Sequence, residues 1–147
     1  MNRLSVPLKI LIVDEDDLLA SEVDAFGHPA IVFSSSSPAQ VSASRGSLED
    51  RDIVVVGVDT SGGLDLVADL CSRPNMPPVI ALAGRATHGR SLEHVLLLAE
   101  LRGAALSLPK PIDAIELALA AIELVRARSG SREMTLIAEE LERRLDW

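Results

Sequence analysis

Four acids in a row, Asp14-Glu15-Asp16-Asp17, follow the apolar run "LKILIV" (8–13). Adjacent carboxylates at the mouth of a strand suit a hard divalent cation, which takes oxygen ligands and keeps some of its waters. Asp16 and Asp17 have a second explanation, because acids gather at helix N-termini, where they meet the positive end of the dipole. Asp14 and Glu15 come straight off the strand, so that explanation does not reach them. Much later, "SLPKPID" (107–113) holds Lys110 between two prolines. A lysine on such a turn could ion-pair with those acids or with a bound phosphoryl group, and Lys110–Pro111 is a candidate cis peptide. Between them, "VVVGVDTSGG" (54–63) runs three β-branched residues into Gly57, with Asp59 two positions on.

Other residue types offer less chemistry. Cys71 is the only cysteine, which rules out an internal disulfide and a cysteine-based metal site; in "LVADLCSR" it reads as a small residue on an apolar helix face. His28, His88 and His94 lie in separate contexts without metal-ligand spacing, so surface or packing roles are expected. Arg85 and Arg90 flank "GRATHGR" (84–90), a loop that could admit an anion or simply be solvated. No base–nucleophile pair is visible, so an enzyme with its own substrate is not expected.

The elements that must position these residues alternate along the chain. "LKILIV" (8–13), "AIVF" (30–33), "DIVVV" (52–56), "PVIALA" (78–83) and "AALSL" (104–108) read as strands. The continuous apolar runs are those of a parallel sheet covered on both faces. Helical patterns lie between them. The first carries Leu18, Leu19, Val23 and Phe26, with Gly27 as its expected C-terminal cap. A weak second one lies in 34–46, with Pro38 in its first turn. The third, 63–73, is stopped by Pro74. The fourth, 91–103, has Ser91 as N-cap and Gly103 at its end. The fifth covers 113–130. Strands separated by helices imply right-handed βαβ units. The expected architecture is an α/β, flavodoxin-like, doubly wound parallel sheet of order 2-1-3-4-5, whose ligand edge lies at the carboxyl ends of the strands.

A further helix is expected after Gly130, with Met134, Ile137, Leu141 and Leu145 as its apolar stripe and Glu139–Arg143 and Glu140–Arg144 as i,i+4 pairs. It could pack on the domain, pair with another copy, or lead onward. The expected organisation is a domain over 1–128 and a C-terminal helical extension or linker over 129–147. The chain ends at Trp147 without a Gly or Pro stop, which suggests that a longer protein continues beyond it.

Composition narrows the classes. The chain has 147 residues, 48% hydrophobic, with two Phe, one Trp and no Tyr. Such a core is aliphatic and offers no aromatic platform for nucleic-acid bases. The net charge of −8 argues against a duplex-binding surface. No apolar run approaches membrane-spanning length and no signal h-region opens the chain, so a cytoplasmic protein is expected.

Taken in order, "ILIVDEDDLL", "RDIVVV", "PVIALAG" and "GAALSLPKPID" resemble the receiver domain of bacterial two-component response regulators, over roughly residues 8 to 128. The resemblance implies that Asp14 and Glu15 match the family's metal-binding acids and Lys110 its phosphoryl-pairing lysine. It also implies three departures. The phosphoacceptor position falls on Gly57, the hydroxyl position after the fourth strand on Ala83, and the aromatic position of the fifth strand on Ser107. Phosphoryl transfer to a receiver needs a carboxylate nucleophile, and glycine has none. A metal ligand goes with it, so Mg²⁺ is expected to bind weakly if at all. The resemblance therefore implies a pseudo-receiver, a signalling module that works without phosphorylation. Its partner or output domain would use the helix 4–strand 5–helix 5 face and the C-terminal helix, and a homodimer is one form of this.

Two other readings stay open. Positions 57 and 59 point the same way in an extended chain, so Asp59 could serve as a displaced acceptor of a conventional response regulator. Alternatively, the vacated pocket could hold a nucleotide or small anion near Lys110, Arg85 and Arg90, although no Gly-rich phosphate loop follows the first strand.

Overall fold

The computed structural model describes residues 7–15, 17–43, 48, 50–59, 62–85, 90–129 and 132–145. The strands are β1 (Leu8–Val13), β2 (Ile31–Ser36), β3 (Ile53–Gly57), β4 (Val79–Ala83) and β5 (Leu106–Pro109). The helices are α1 (Asp17–Ala25), α2 (Pro38–Ala43), α3 (Gly63–Ser72), α4 (Leu92–Leu101), α5 (Ala114–Ser129) and α6 (Arg132–Leu145). The strands form one sheet in the order β2-β1-β3-β4-β5, and every pairing is parallel. This is the flavodoxin-like arrangement expected from the alternation of runs.

Strand alternation divides the core in two. Ile10, Ile12, Ile53, Val55, Ile80 and Leu82 face α1, α5 and α6. Leu11, Val13, Val54, Val56, Ala81 and Ala83 face α2, α3 and α4. Every residue of β3 and β4 is buried, which is why those strands read as unbroken apolar runs. Each buried Val, Ile or Leu contributes roughly 1.5–3 kcal/mol relative to exposure.

The edges differ from the sequence expectation. β2 runs on through Ser34, Ser35 and Ser36, registered against Leu11, Ile12 and Val13. An edge strand keeps partly exposed positions, so serine is compatible with the ladder, and its polarity hid the extension. β5 begins two residues later than "AALSL" suggests. The Ala104 N–H bonds back to Ala99 at the end of α4 and the Ala105 N–H to Val79, so those alanines close the turn. α2 is shorter than 34–46 because β2 takes its first residues. Gly27 stands two residues past the end of α1 at Ala25, the place Gly103 has after α4, but it does not take the positive φ of a left-handed cap.

α4 follows its signals. The Ser91 hydroxyl accepts from the His94 N–H at 3.2 Å, and Gly103 takes a φ of 118° just past the end. Gly103 also lies against α3: a Cβ there would stand 2.6 Å from the Cys71 Cβ. Burial pushes the Cys71 thiol pKa up, keeping it neutral, as suits a packing residue.

α6 lies against α5. Ile137, Ala138 and Leu141 are buried in the same cluster as α1 and α5, so the described part of its apolar stripe packs on α1 and α5. The side chains of Met134 and Leu145 lie outside the described residues. The His28 Nδ1 accepts from the Ala30 N–H at 3.1 Å, and its Nε2 lies 3.2 Å from Glu140 Oε2. A neutral His28 bonded in this way carries its proton on Nε2 and donates it to α6. Arg144 pairs with Glu140 at 3.5 Å on the helix surface. Among the described residues no helix is long and apolar enough to cross a membrane.

Candidate functional site

The carboxyl ends of β1, β3, β4 and β5 come together at a cleft of about 1040 Å³. Parallel pairing brings this about, because Val13 is level with Val56 and Gly57 with Leu82. The residues that follow each strand therefore converge: Asp14 and Glu15 after β1, Asp59 after β3, Gly84 and Arg85 after β4, and Lys110 after β5.

The floor of the cleft is a charge cluster. The Asp14 side chain is fully buried, and its Oδ2 lies 2.8 Å from the Lys110 Nζ. The same ammonium lies 3.5 Å from Asp59 Oδ1. Asp59 is buried, with 7% of its side chain exposed, and its Oδ2 accepts from the Gly84 N–H at 2.7 Å. The Gly84 bond is charge-assisted and strong, and the two ion pairs of Lys110 offset part of the desolvation of these groups. The Lys110 N–H bonds to the Ala83 carbonyl, and the Lys110–Pro111 peptide is cis.

Gly57 explains how Asp14 fits. A Cβ built on Gly57 would collide with the Asp14 carboxyl group. The space that a side chain at position 57 would enter is therefore filled by a side chain from the neighbouring strand. Beyond Gly57 the chain keeps its pairing for one more residue, with the Val58 N–H bonded to the Leu82 carbonyl at 2.8 Å. Asp59 is thereby carried to the cleft. The short connection to α3 rests on two glycines. Gly62 takes a φ of 79°, and Gly63 sits so close to the Gly57 carbonyl and Val58 that no larger residue fits.

Other singled-out residues disperse. Glu15 is exposed on the rim. Ala83 is buried under the sheet edge and offers no hydroxyl. The Ser107 hydroxyl donates to Glu100 Oε2 at 2.5 Å, tying β5 to α4. Arg85 lines the cleft, whereas Arg90 is exposed and is not among its lining residues. His94 is exposed on α4. Asp16, His88 and the side chain of Asp17 lie outside the described residues. Sequence reasoning missed the Gly84 N–H as a donor. It also missed the outer wall formed by Glu22, Asp113 and Glu116. Asp113 had a legible signal, an acid before an apolar helical run, and its Oδ1 accepts from the Glu116 N–H at 2.9 Å as a helix cap.

Among the described residues the donor set does not fit Mg²⁺. Asp14 is clamped by Lys110, Glu15 stands apart on the rim, and among the described residues no three His, Cys, Asp or Glu side chains converge as a metal site.

No protein-family model matches this sequence, and no curated protein matches it. Solved structures do. NtrX from Brucella abortus superposes with a TM-score of 0.62 at 24% identity over 90% of this chain, which spans 29% of that protein. The receiver domain of nitrogen regulatory protein C, solved in a BeF₃-activated form, gives 0.64 at 21% identity over 84% of this chain and 98% of its own. The receiver domain of a Francisella response regulator gives 0.60 at 18% identity over 84% and 99%. At these identities the likeness establishes a shared fold, that of response-regulator receiver domains.

Proposed function

We propose that this chain is a receiver-like signalling domain that acts through protein–protein contact without being phosphorylated. One observation carries the reading: the Asp14 carboxylate occupies the space above Gly57, the position that the receiver resemblance assigns to the phosphoacceptor. No nucleophile stands there, and the buried volume a nucleophile would need is taken. Asp59 does reach the cleft, but both its oxygens are engaged, one by the Gly84 N–H and one by Lys110. In-line attack on a phosphoryl donor needs an open carboxylate, so Asp59 is poorly placed as a substitute acceptor. The same engagement weakens the reading of the cleft as a nucleotide or small-anion pocket, since Lys110 already serves two carboxylates.

The partner surface of this proposal is the α4–β5–α5 face. Leu97 and Leu101 of α4 are 52% and 73% exposed, one turn apart on the same side. Such residues are the apolar centre that a protein contact requires. α6, packed on α5, would carry the connection to whatever the domain regulates, and the protein would act in the cytoplasm.

The test is incubation with a small-molecule phosphodonor and Mg²⁺, followed by intact-protein mass measurement. The expected result is an unchanged mass. A phosphoryl adduct that disappears in Asp59→Ala would replace this reading with that of a conventional response regulator.

A further inference from the structure

We infer that the Asp59 carboxylate is a built-in ligand. It fills an anion seat formed by the Gly84 N–H and the Lys110 ammonium, and it locks the β4 exit to β3 and β5 without any external group. The inference deepens the preceding reading and rests on it, since an Asp59 that accepted a phosphoryl group would not be a permanent occupant.

The seat is made of parts from separate strand ends. Gly84 supplies a main-chain donor 2.7 Å from Asp59 Oδ2. Lys110 supplies a charge 3.5 Å from Oδ1 and is also ion-paired with Asp14 at 2.8 Å. The glycine makes the approach possible: a Cβ at Gly84 would stand 3.0 Å from the Lys110 Cβ, tighter than an ordinary contact. Gly57 contributes by absence, because Asp14 can lie over it and brace the lysine. A main-chain N–H and an ammonium aimed at one point are an anion-binding arrangement whatever anion fills it. Here the chain supplies the anion itself, so the seat is filled without an association step. The β4 exit is therefore set when the protein folds, and the cleft gives a dissolved anion no place on the wild-type floor.

Removing the internal anion should open the seat to an external one of the same chemistry. In Asp59→Ala the lost group is a carboxylate, and formate restores its atoms. Formate should raise the melting temperature of Asp59→Ala by about 2–5 °C over sodium chloride at equal ionic strength. The wild type should show no such difference, and Asp59→Ala/Lys110→Met should lose the gain. Equal responses of wild type and Asp59→Ala to formate would overturn the inference. Should Asp59→Ala not fold, Asp59→Leu keeps the shape without an acceptor. Its Gly84 amide should exchange with solvent roughly 10-fold faster than in the wild type while the Val55 amide is unchanged, and an unchanged Gly84 rate would be equally fatal. Neither measurement uses a phosphodonor, so failure here is separable from failure of the mass test above.

Discussion

At the scale of single residues, the informative pair is a glycine and the acid that leans over it. Position 57 and Asp14 compete for one volume, and the chain resolves the competition by having no side chain at 57. Gly57→Ala should force Asp14 out of its place and stretch its bond to Lys110, at a cost of roughly 1–3 kcal/mol in urea unfolding. In an Asp14→Ala background the same substitution should cost clearly less, because the obstructing carboxyl is gone. A double-mutant cycle reads the coupling directly. An aspartate placed at 57 should meet the same obstruction, with a larger loss of stability than alanine causes. Lys110 is the second such residue. Lys110→Met leaves two buried carboxylates without their counter-charge, and equilibrium unfolding at neutral pH should show a loss of roughly 3–5 kcal/mol.

At the scale of elements, α6 was the open question, and burial answers it. Ile137 and Leu141 sit at i and i+4 against α5, while Leu136 on the same helix is 49% exposed. Leu141→Glu would bury an unpaired charge and should release α6 from the domain, seen as rapid proteolytic cleavage near residue 130 and a lowered melting temperature. Leu136→Glu should change neither. His28 holds the other side of the same contact through Glu140. The strands show what edges do to a sequence signal. β3 and β4, buried on both faces, were legible as plain apolar runs. β2 and β5 lie at the sheet edges, so their serines and alanines carry a blurred pattern and their limits shifted by two or three residues.

At the scale of the whole molecule, the sheet gathers Asp14, Asp59 and Lys110 at one end, while Leu97 and Leu101 stand exposed on α4. Leu97 and Leu101 support no core, so replacing both with Glu should leave stability within about 0.5 kcal/mol. If the α4–β5–α5 face joins two copies, the double variant should run as a monomer in light scattering where the wild type runs as a dimer. A wild type and variant of the same larger mass would place the contact elsewhere. Leu97 and Leu101 do not line the acidic cleft, and Ser107 bonded to Glu100 is one direct tie between β5 and α4.

The alternation of apolar runs and helical patterns already pointed to a parallel sheet, because burial on both faces leaves few other arrangements for such segments; the order 2-1-3-4-5 was the expected member of the doubly wound class, and the folded chain has it. The set Asp14, Glu15, Gly57, Asp59 and Lys110 was legible too, since each stands just past a strand and parallel strands end on one side. What those residues do to one another was not legible. That Asp14 lies over Gly57, that Lys110 serves two acids, and that Asp59 meets the Gly84 N–H all depend on strand register and side-chain direction. These are distances between residues 25 to 96 positions apart in the chain, and only the closed sheet brings them within reach. Sequence posed the choice between chemistry removed and chemistry moved to Asp59; the folded chain shows Asp59 present in the cleft and already bound.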